Sequence, residues 1–192
     1  MDQNETKKLF EDNSALLSGH FLLSSGLHSD TYFQSALILQ HPVEAAKCAA
    51  TLASKIKGVV KEPVEVVVSP ALGGIVVGHE IARALGCRAI FCERVDGKLT
   101  LRRGFNINKG EIAVVVEDVI TTGLSTREVI EAISQFDPKV AAVASLVDRS
   151  AGKVNFGVPF LSLLSLDVKS YKAEDCPMCK AGSKPVKPGS RK

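Results

Sequence analysis

Two adjacent carboxylates, Glu117 and Asp118, stand between an apolar run and a Thr-Thr-Gly-Leu-Ser turn in VVVEDVITTGLST, Val114 to Thr126. A turn that leads from a strand into a helix leaves several backbone N–H groups without partners, and the helix dipole adds partial positive charge. Such a point suits an anion, above all a phosphate. The two acids would repel that phosphate, so they are expected to serve something attached to it. A ribose fits, because its two free hydroxyls donate hydrogen bonds to carboxylate oxygens. The residues Glu117, Asp118, Val119, Ile120, Thr121, Thr122, Gly123, Leu124 and Ser125 together read as a cradle for ribose 5-phosphate. The alternative is an ordinary strand-turn-helix whose acids face solvent.

Other groups have chemistry of their own. SPALGG, Ser69 to Gly74, also passes from a strand into a helix, and Gly73 and Gly74 would let backbone amides approach a second anion closely. Glu93 to Gly110 is a long polar insert in which Arg94, Lys98, Arg102 and Arg103 outnumber Glu93 and Asp96. Inserts longer than about 12–15 residues are usually functional or disordered, and Asp96-Gly97 is the dipeptide of a tight hairpin. Arg149, after Asp148, can pair bidentately with a substrate carboxylate, or simply with a structural acid. In the first forty residues HFLLSSGLHSDTYFQ mixes aromatics with small polar groups, and Tyr32 and Phe33 are candidates for a wall against a flat ring or for local core.

These groups need a frame. Five strand candidates, 64–68, 88–92, 112–116, 140–147 and 160–166, alternate with helical segments. One helix is expected from Pro42 to Ile56, stopped by Gly58; a second from Gly74 to Leu85, stopped by Gly86; a third over 125–136, with Ser125 and Glu128 spaced as a capping box. The alternation predicts an α/β fold, a doubly wound, mostly parallel five-stranded sheet under an N-terminal hood. Ligands of such sheets bind beyond the carboxyl ends of the strands, where strand order reverses, and Ser69 to Gly74, Glu93 onward, Glu117 to Ser125 and Asp148-Arg149 all fall at such ends. The expected organisation is a hood over 1–40, a core over 41–170, and a turn with a basic tail over 171–192, all in a single domain.

Composition limits the function classes. The chain of 192 residues is 45% hydrophobic and 23% charged, enough for a sizeable core. No apolar run approaches the roughly 18–20 residues of a membrane span, and the polar start MDQNETKKLFED is not a secretory signal. A cytoplasmic protein with no membrane partner is expected. The net charge of +3 comes from 180–192, which holds five bases (Lys180, Lys184, Lys187, Arg191 and Lys192) and no acid. The rest holds 19 bases against 21 acids, so no general nucleic-acid binding is expected. The tail is expected to be solvated, to lie on a neighbouring subunit, or to attract a polyanion.

Cys48, Cys87 and Cys92 read as buried thiols of a reducing compartment. Cys176 and Cys179 form a CPMC pair, but structural zinc needs four ligands and no second pair or adjacent histidine supplies them. The open readings are a chain turn at Pro177, a redox pair, or a metal shared between subunits. His20, His28, His41 and His79 are scattered and expected to be structural or surface residues, with His28 the one worth testing. No metal ligands are assigned.

The EDVITTG wording with its apolar flanks resembles the phosphoribosyl-diphosphate (PRPP) signature of type I phosphoribosyltransferases, and the chain over most of 15–170 is similar to the orotate phosphoribosyltransferase branch. The resemblance implies conversion of orotate and PRPP to orotidine 5′-phosphate and pyrophosphate in pyrimidine biosynthesis. Magnesium would ride mainly on the diphosphate. By the same resemblance Glu117 and Asp118 hold the ribose hydroxyls and 121–125 the 5′-phosphate, with Asp118 also counted among the catalytic groups. Ala71, Leu72, Gly73 and Gly74 line pyrophosphate; Thr121, Arg149, Tyr32 and Phe33 meet orotate. The family's mobile loop serves the neighbouring site of a homodimer and presents a lysine; Lys98, then Arg94, is the candidate here, although ERVDGKLTLRRGF departs from the usual wording. Family lysines are also replaced at Ser24 and at Leu72-Gly73. Competing readings are a purine phosphoribosyltransferase, disfavoured by Arg149 because purines carry no carboxylate, and a PRPP-sensing regulator, which would need an appended DNA-binding module.

Overall fold

In the computed structural model, which describes residues 1–23 and 25–188, the first helix α1 (Gln3–Asp12) starts at a capping box. Asp2 accepts from the Glu5 N–H and Glu5 accepts from the Asp2 N–H, so two helix-end donors are satisfied reciprocally. Strands β1 (Leu16–Leu22) and β2 (His28–Phe33) form an antiparallel hairpin. A short helix α2 (Ser35–Leu39) then leads to α3 (Pro42–Val59). Pro42 begins α3 as expected, but the helix runs through Gly58. Ala45, Cys48, Ala49, Leu52, Ala53 and Ile56 bury one continuous face, and that burial outweighs the roughly 1 kcal/mol cost of an interior glycine.

From there strands and helices alternate: β3 (Val66–Pro70), α4 (Gly73–Leu85), β4 (Arg88–Val95), β5 (Lys98–Leu101), β6 (Ile112–Ile120), α5 (Leu124–Ser134), β7 (Lys139–Asp148) and β8 (Phe160–Ser165). Gly86, left-handed at φ 79°, stops α4 as the sequence predicts. The sheet order is β5-β4-β3-β6-β7-β8. All five expected strands are present and parallel. The sixth, β5, adds antiparallel at the edge through the Asp96-Gly97 hairpin, whose two residues take φ 49° and 83°. The first half of the Glu93–Gly110 insert is thus an ordered ribbon, and the second half packs with Phe105 edge-on to Phe91 and Ile107 buried.

Helices cover both faces. Val114 and Val116 of β6 face a core shared with α3 and α4, while Ala113 and Val115 face one shared with α5. A strand buried on both sides explains the unbroken apolar run that first marked it. Order reverses between β3 and β6, whose carboxyl ends, Pro70 and Glu117 onward, therefore border the expected crevice.

The hood is not confined to the N-terminus. After β8 the chain returns as β9 (Ser170–Tyr171), which pairs with β2, and makes a short turn of helix α6 (Pro177–Lys180). Val186 then bridges to Phe21. The tail up to Pro188 therefore lies on the hood; Arg191 and Lys192 fall outside the described residues, as does Ser24. No helix among the described residues is long and apolar enough to cross a membrane. The cysteines are free thiols, and burial pushes Cys48 up to about 12 and Cys92 up to about 11.

Candidate active site

Strand β6 is four residues longer than its apolar run, and this decides how the two acids are held. Glu117 and Ile120 remain in register with Ser145 and Asp148 of β7, so Glu117 and Asp118 alternate across the sheet. Glu117 points towards α5, where Thr126 donates to it through a short hydrogen bond. Asp118 points the other way, where Ser35 at the start of α2 donates to it, again through a short bond. Each acid is thus oriented by a hydroxyl of a different element. Burial pushes the Glu117 carboxyl up to about 6; Asp118 and Glu128 add to the rise, and the Thr126 and Ser125 hydroxyls oppose it. Ile120 is fully buried and can offer only its backbone.

The turn after β6 differs from its expectation in one respect. Ser125 and Glu128 do not form a capping box: the cap of α5 is Gly123, left-handed at φ 74°, with no side-chain hydrogen bond. Glu128 instead pairs with Arg94. The first turn of α5 carries no acidic residue, which leaves it the better suited to an anion. Gly123 is required twice over, since a Cβ there would meet Val154 Cγ1 at 2.8 Å and Phe156 at 2.9 Å, on a backbone that side chains disfavour.

Ala71, Leu72, Gly73 and Gly74 follow β3 and reach the same crevice. Gly73 lies so close to Asp118 that a Cβ would sit 2.8 Å from Oδ2. The second glycine-rich turn and the acid pair therefore share one wall. The Ala71–Leu72 peptide is cis and Leu72 is 84% exposed. Leu72 and Val76, also exposed, line one surface hollow with Ala36 and Leu39. Among the described residues no histidine or third acid joins Glu117 and Asp118 in a metal-ligating group. A hard cation here would need substrate oxygens to complete its shell.

Beside the cradle a cleft of about 580 Å³ runs under the hood, bordered by Tyr32, Thr121, Thr122, Arg149 and, from the returning tail, Lys187 and Pro188. Leu22, Leu27 and Val168 supply its apolar surface. Arg149 is half-buried, and its guanidinium makes no hydrogen bond or ion pair among the described residues. Burial lowers its pKa. The structural Asp-Arg pair is not formed: Asp148 accepts from Ser150 N–H at 2.7 Å, Gly152 N–H at 3.0 Å and Ser165 Oγ at 3.3 Å. An unpaired cation in a half-apolar cleft is prepared for an anionic ligand. Tyr32 borders this cleft, but Phe33 does not; strand alternation turns it into the core, its ring centroid 5.1 Å from that of Phe10.

The remaining candidates stand apart. Arg94 Nη2 lies 2.5 Å from Glu128 Oε2 and Nη1 lies 2.6 Å from the Gly97 carbonyl. Lys98 borders a different, shallow cavity with Glu128 and Glu131 on α5. Neither residue borders the cleft of Arg149 within its own chain. Arg103 pairs with Glu93. Two groups escaped the sequence reading: Ser35 and Thr126, the hydroxyls that orient the acids, have no motif and are visible only once α2 and α5 are docked. The histidines also depart from it. His20 and His28 converge with Cys176 and Cys179, with ligand atoms all within 4.8 Å of one another.

A helix start suited to an anion, an acid pair beside it and a second glycine-rich turn, placed at a strand-order reversal, are the features a protein that handles a phosphorylated sugar needs. The model of the phosphoribosyl transferase domain matches residues 35–170. Over 192 residues, all of both chains, the sequence is 52% identical to an orotate phosphoribosyltransferase of Pelotomaculum thermopropionicum. The orotate phosphoribosyltransferase of Aeropyrum pernix superposes with a TM-score of 0.65 at 26% identity, covering 83% of this chain and 92% of that one. The Mycobacterium tuberculosis enzyme solved with PRPP shares the fold, with a TM-score of 0.66 at 24% identity over 86% and 97%. The chain belongs to the phosphoribosyl transferase family, among its orotate phosphoribosyltransferases.

Proposed function

We propose that the protein transfers the 5-phosphoribosyl group of PRPP to orotate, releasing pyrophosphate and forming orotidine 5′-phosphate. The observation that carries this reading is Arg149, a half-buried cation with no partner among the described residues, in the same cleft as Thr121. A purine would leave that charge without a partner, whereas the orotate carboxylate accepts two parallel N–H bonds from it. Tyr32 gives the flat ring an apolar edge.

The 5′-phosphate sits on the backbone of Thr121 to Ser125, and Glu117 and Asp118 accept from the two ribose hydroxyls. This sets the anomeric carbon between the base cleft and the turn at Ala71 to Gly74. The bond from that carbon to the diphosphate oxygen breaks with its electron pair leaving on pyrophosphate, and N1 of orotate forms the new bond as its proton is lost. Positive charge grows on the ring and negative charge on the leaving group; the acids face the first, and the amides of Gly73 and Gly74 the second. Magnesium, carried mainly on the diphosphate with Glu117 and Asp118 nearby, would neutralise charge on the leaving group. Lys98 and Arg94 act on the partner's site in a two-fold dimer, a reading supported by neither of them bordering the cleft of its own chain and by the exposed Leu72 and Val76. The setting is cytoplasmic pyrimidine synthesis. Loss of orotate absorbance that requires both PRPP and magnesium tests the proposal; binding of PRPP without turnover would reject it.

A further inference from the structure

Four side chains that the transfer reaction does not use meet beneath the hood. His20 is on β1, His28 on β2, Cys176 caps α6 and Cys179 lies within it. His20, His28 and Cys176 are buried, and Cys179 is partly exposed. His20 Nε2 lies 2.9 Å from His28 Nδ1 and 3.5 Å from Cys176 Sγ; Cys179 Sγ lies 3.8 Å from His20 Nε2 and 3.3 Å from His28 Nδ1. Around a tetrahedral zinc ion with Zn–N near 2.0–2.1 Å and Zn–S near 2.3 Å, such donors stand roughly 3.3–3.8 Å apart. Three of these four spacings fall in that range, the two nitrogens are closer at 2.9 Å, and the whole set lies within 4.8 Å.

The surroundings are those of a built site. The β1–β2 register slips by one residue between Ser18 and Phe21, and this bulge breaks the alternation so that His20 and Phe21 are both buried. His20 uses Nε2 toward the cluster and has Ser183 Oγ 3.1 Å from Nδ1, which fixes the ring as outer partners of metal-bound imidazoles do. Two thiolates and two neutral imidazoles neutralise a divalent ion, and a mixed sulfur–nitrogen set of four suits zinc in a closed, structural role.

We propose that His20, His28, Cys176 and Cys179 bind one structural Zn²⁺ that clips the C-terminal segment onto the hood. The ion displaces the two thiol protons to solvent, with no change of oxidation state. Its consequence reaches the cleft through His20, whose carbonyl accepts from the Val186 N–H at 2.8 Å while the Leu22 N–H donates to the Val186 carbonyl at 2.8 Å. The next two residues, Lys187 and Pro188, border the cleft of Arg149. The zinc thus holds the strap that closes the base site, and this consequence alone rests on the proposed function.

The test is elemental analysis of the full-length protein purified under reducing conditions, followed by Co²⁺ titration of the chelated protein. The expected results are about one zinc per chain and the intense visible bands and sulfur-to-metal charge transfer of tetrahedral cobalt bound by two thiolates. Cys179→Ala, the partly exposed ligand, should abolish those bands. Chelation should lower the melting temperature and raise the KM for orotate several-fold more than that for PRPP. Absence of zinc together with octahedral cobalt, or a stable Cys176–Cys179 disulfide in the protein as isolated, would overturn the site. Wild-type metal content decides even where a variant fails to fold. Zinc with unchanged KM values would confirm the site and refute its link to the cleft.

Discussion

Replacement of Arg149 by methionine separates binding from folding. Methionine keeps most of the apolar stem and removes only the charged fork. In the free protein the guanidinium has no partner among the described residues and burial disfavours its charge, so its loss should leave the melting temperature unchanged or raise it. In the complex, hydrogen bonds to a charged group are worth about 1.5–3 kcal/mol. At about 1.4 kcal/mol per factor of ten, the KM for orotate should rise by about 10- to 150-fold. PRPP is held elsewhere, by the turn after β6 and the acids, and its KM should stay within about twofold. Initial rates by orotate absorbance, with each substrate varied in turn, give both numbers, and thermal unfolding of the free protein gives the third. Equal loss for both substrates, or a marked fall in melting temperature, would show that Arg149 serves the fold and refute the reasoning.

Three further outcomes follow from the same geometry. Because burial raises Glu117 to about 6, the carboxylate becomes protonated as pH falls through that value and cannot accept from both donors around it. PRPP affinity should therefore drop below about pH 6, and Glu117→Gln should flatten that limb relative to wild type, since titration of the substrate's phosphates is common to both. The same shift makes the carboxyl's contribution to stability greatest below its unfolded value of 4.5 and lost as pH rises through 6. Gly123→Ala places a Cβ 2.8 Å from Val154 on a left-handed backbone; a cost of about 1–3 kcal/mol corresponds to roughly 2–4 °C per kcal/mol in a chain of this size. Differential scanning calorimetry checks that, and an unchanged transition would contradict it. Mixing Lys98→Ala chains with Glu117→Gln chains should recover activity in hybrid dimers that neither parent shows; no recovery would place the lysine's action in its own site or nowhere.

What could be read from the sequence was what depends on neighbours along the chain. The β6 run shows itself because a parallel strand buried on both faces must be apolar throughout, and Gly86 and Asp96-Gly97 declare themselves because few residues accept positive φ. The five parallel strands and the crevice at the β3–β6 reversal follow from that alternation. The capping box that the Ser125–Glu128 spacing suggests does not form, because the cap of α5 falls on Gly123 and Glu128 turns to Arg94 on the edge ribbon.

What stayed hidden depends on partners far apart in the chain. Ser35 reaches Asp118 across 83 positions, and Cys176 meets His20 across 156. No spacing rule covers such distances, so the CPMC pair looked short of two ligands and the histidines looked scattered. The missing information is the path of the tail, and its basic composition suggested solvent. Yet pairing with β1 and β2 satisfies backbone groups at the hood's edge, and Val186 continues that pairing at Phe21. Once the chain returns there, the CPMC turn is set against the hairpin and Lys187 against the base cleft. The apparently separate oddities, an unpaired CxxC, a histidine-bearing hood and a basic end, then have a single cause: one strap folded over one site.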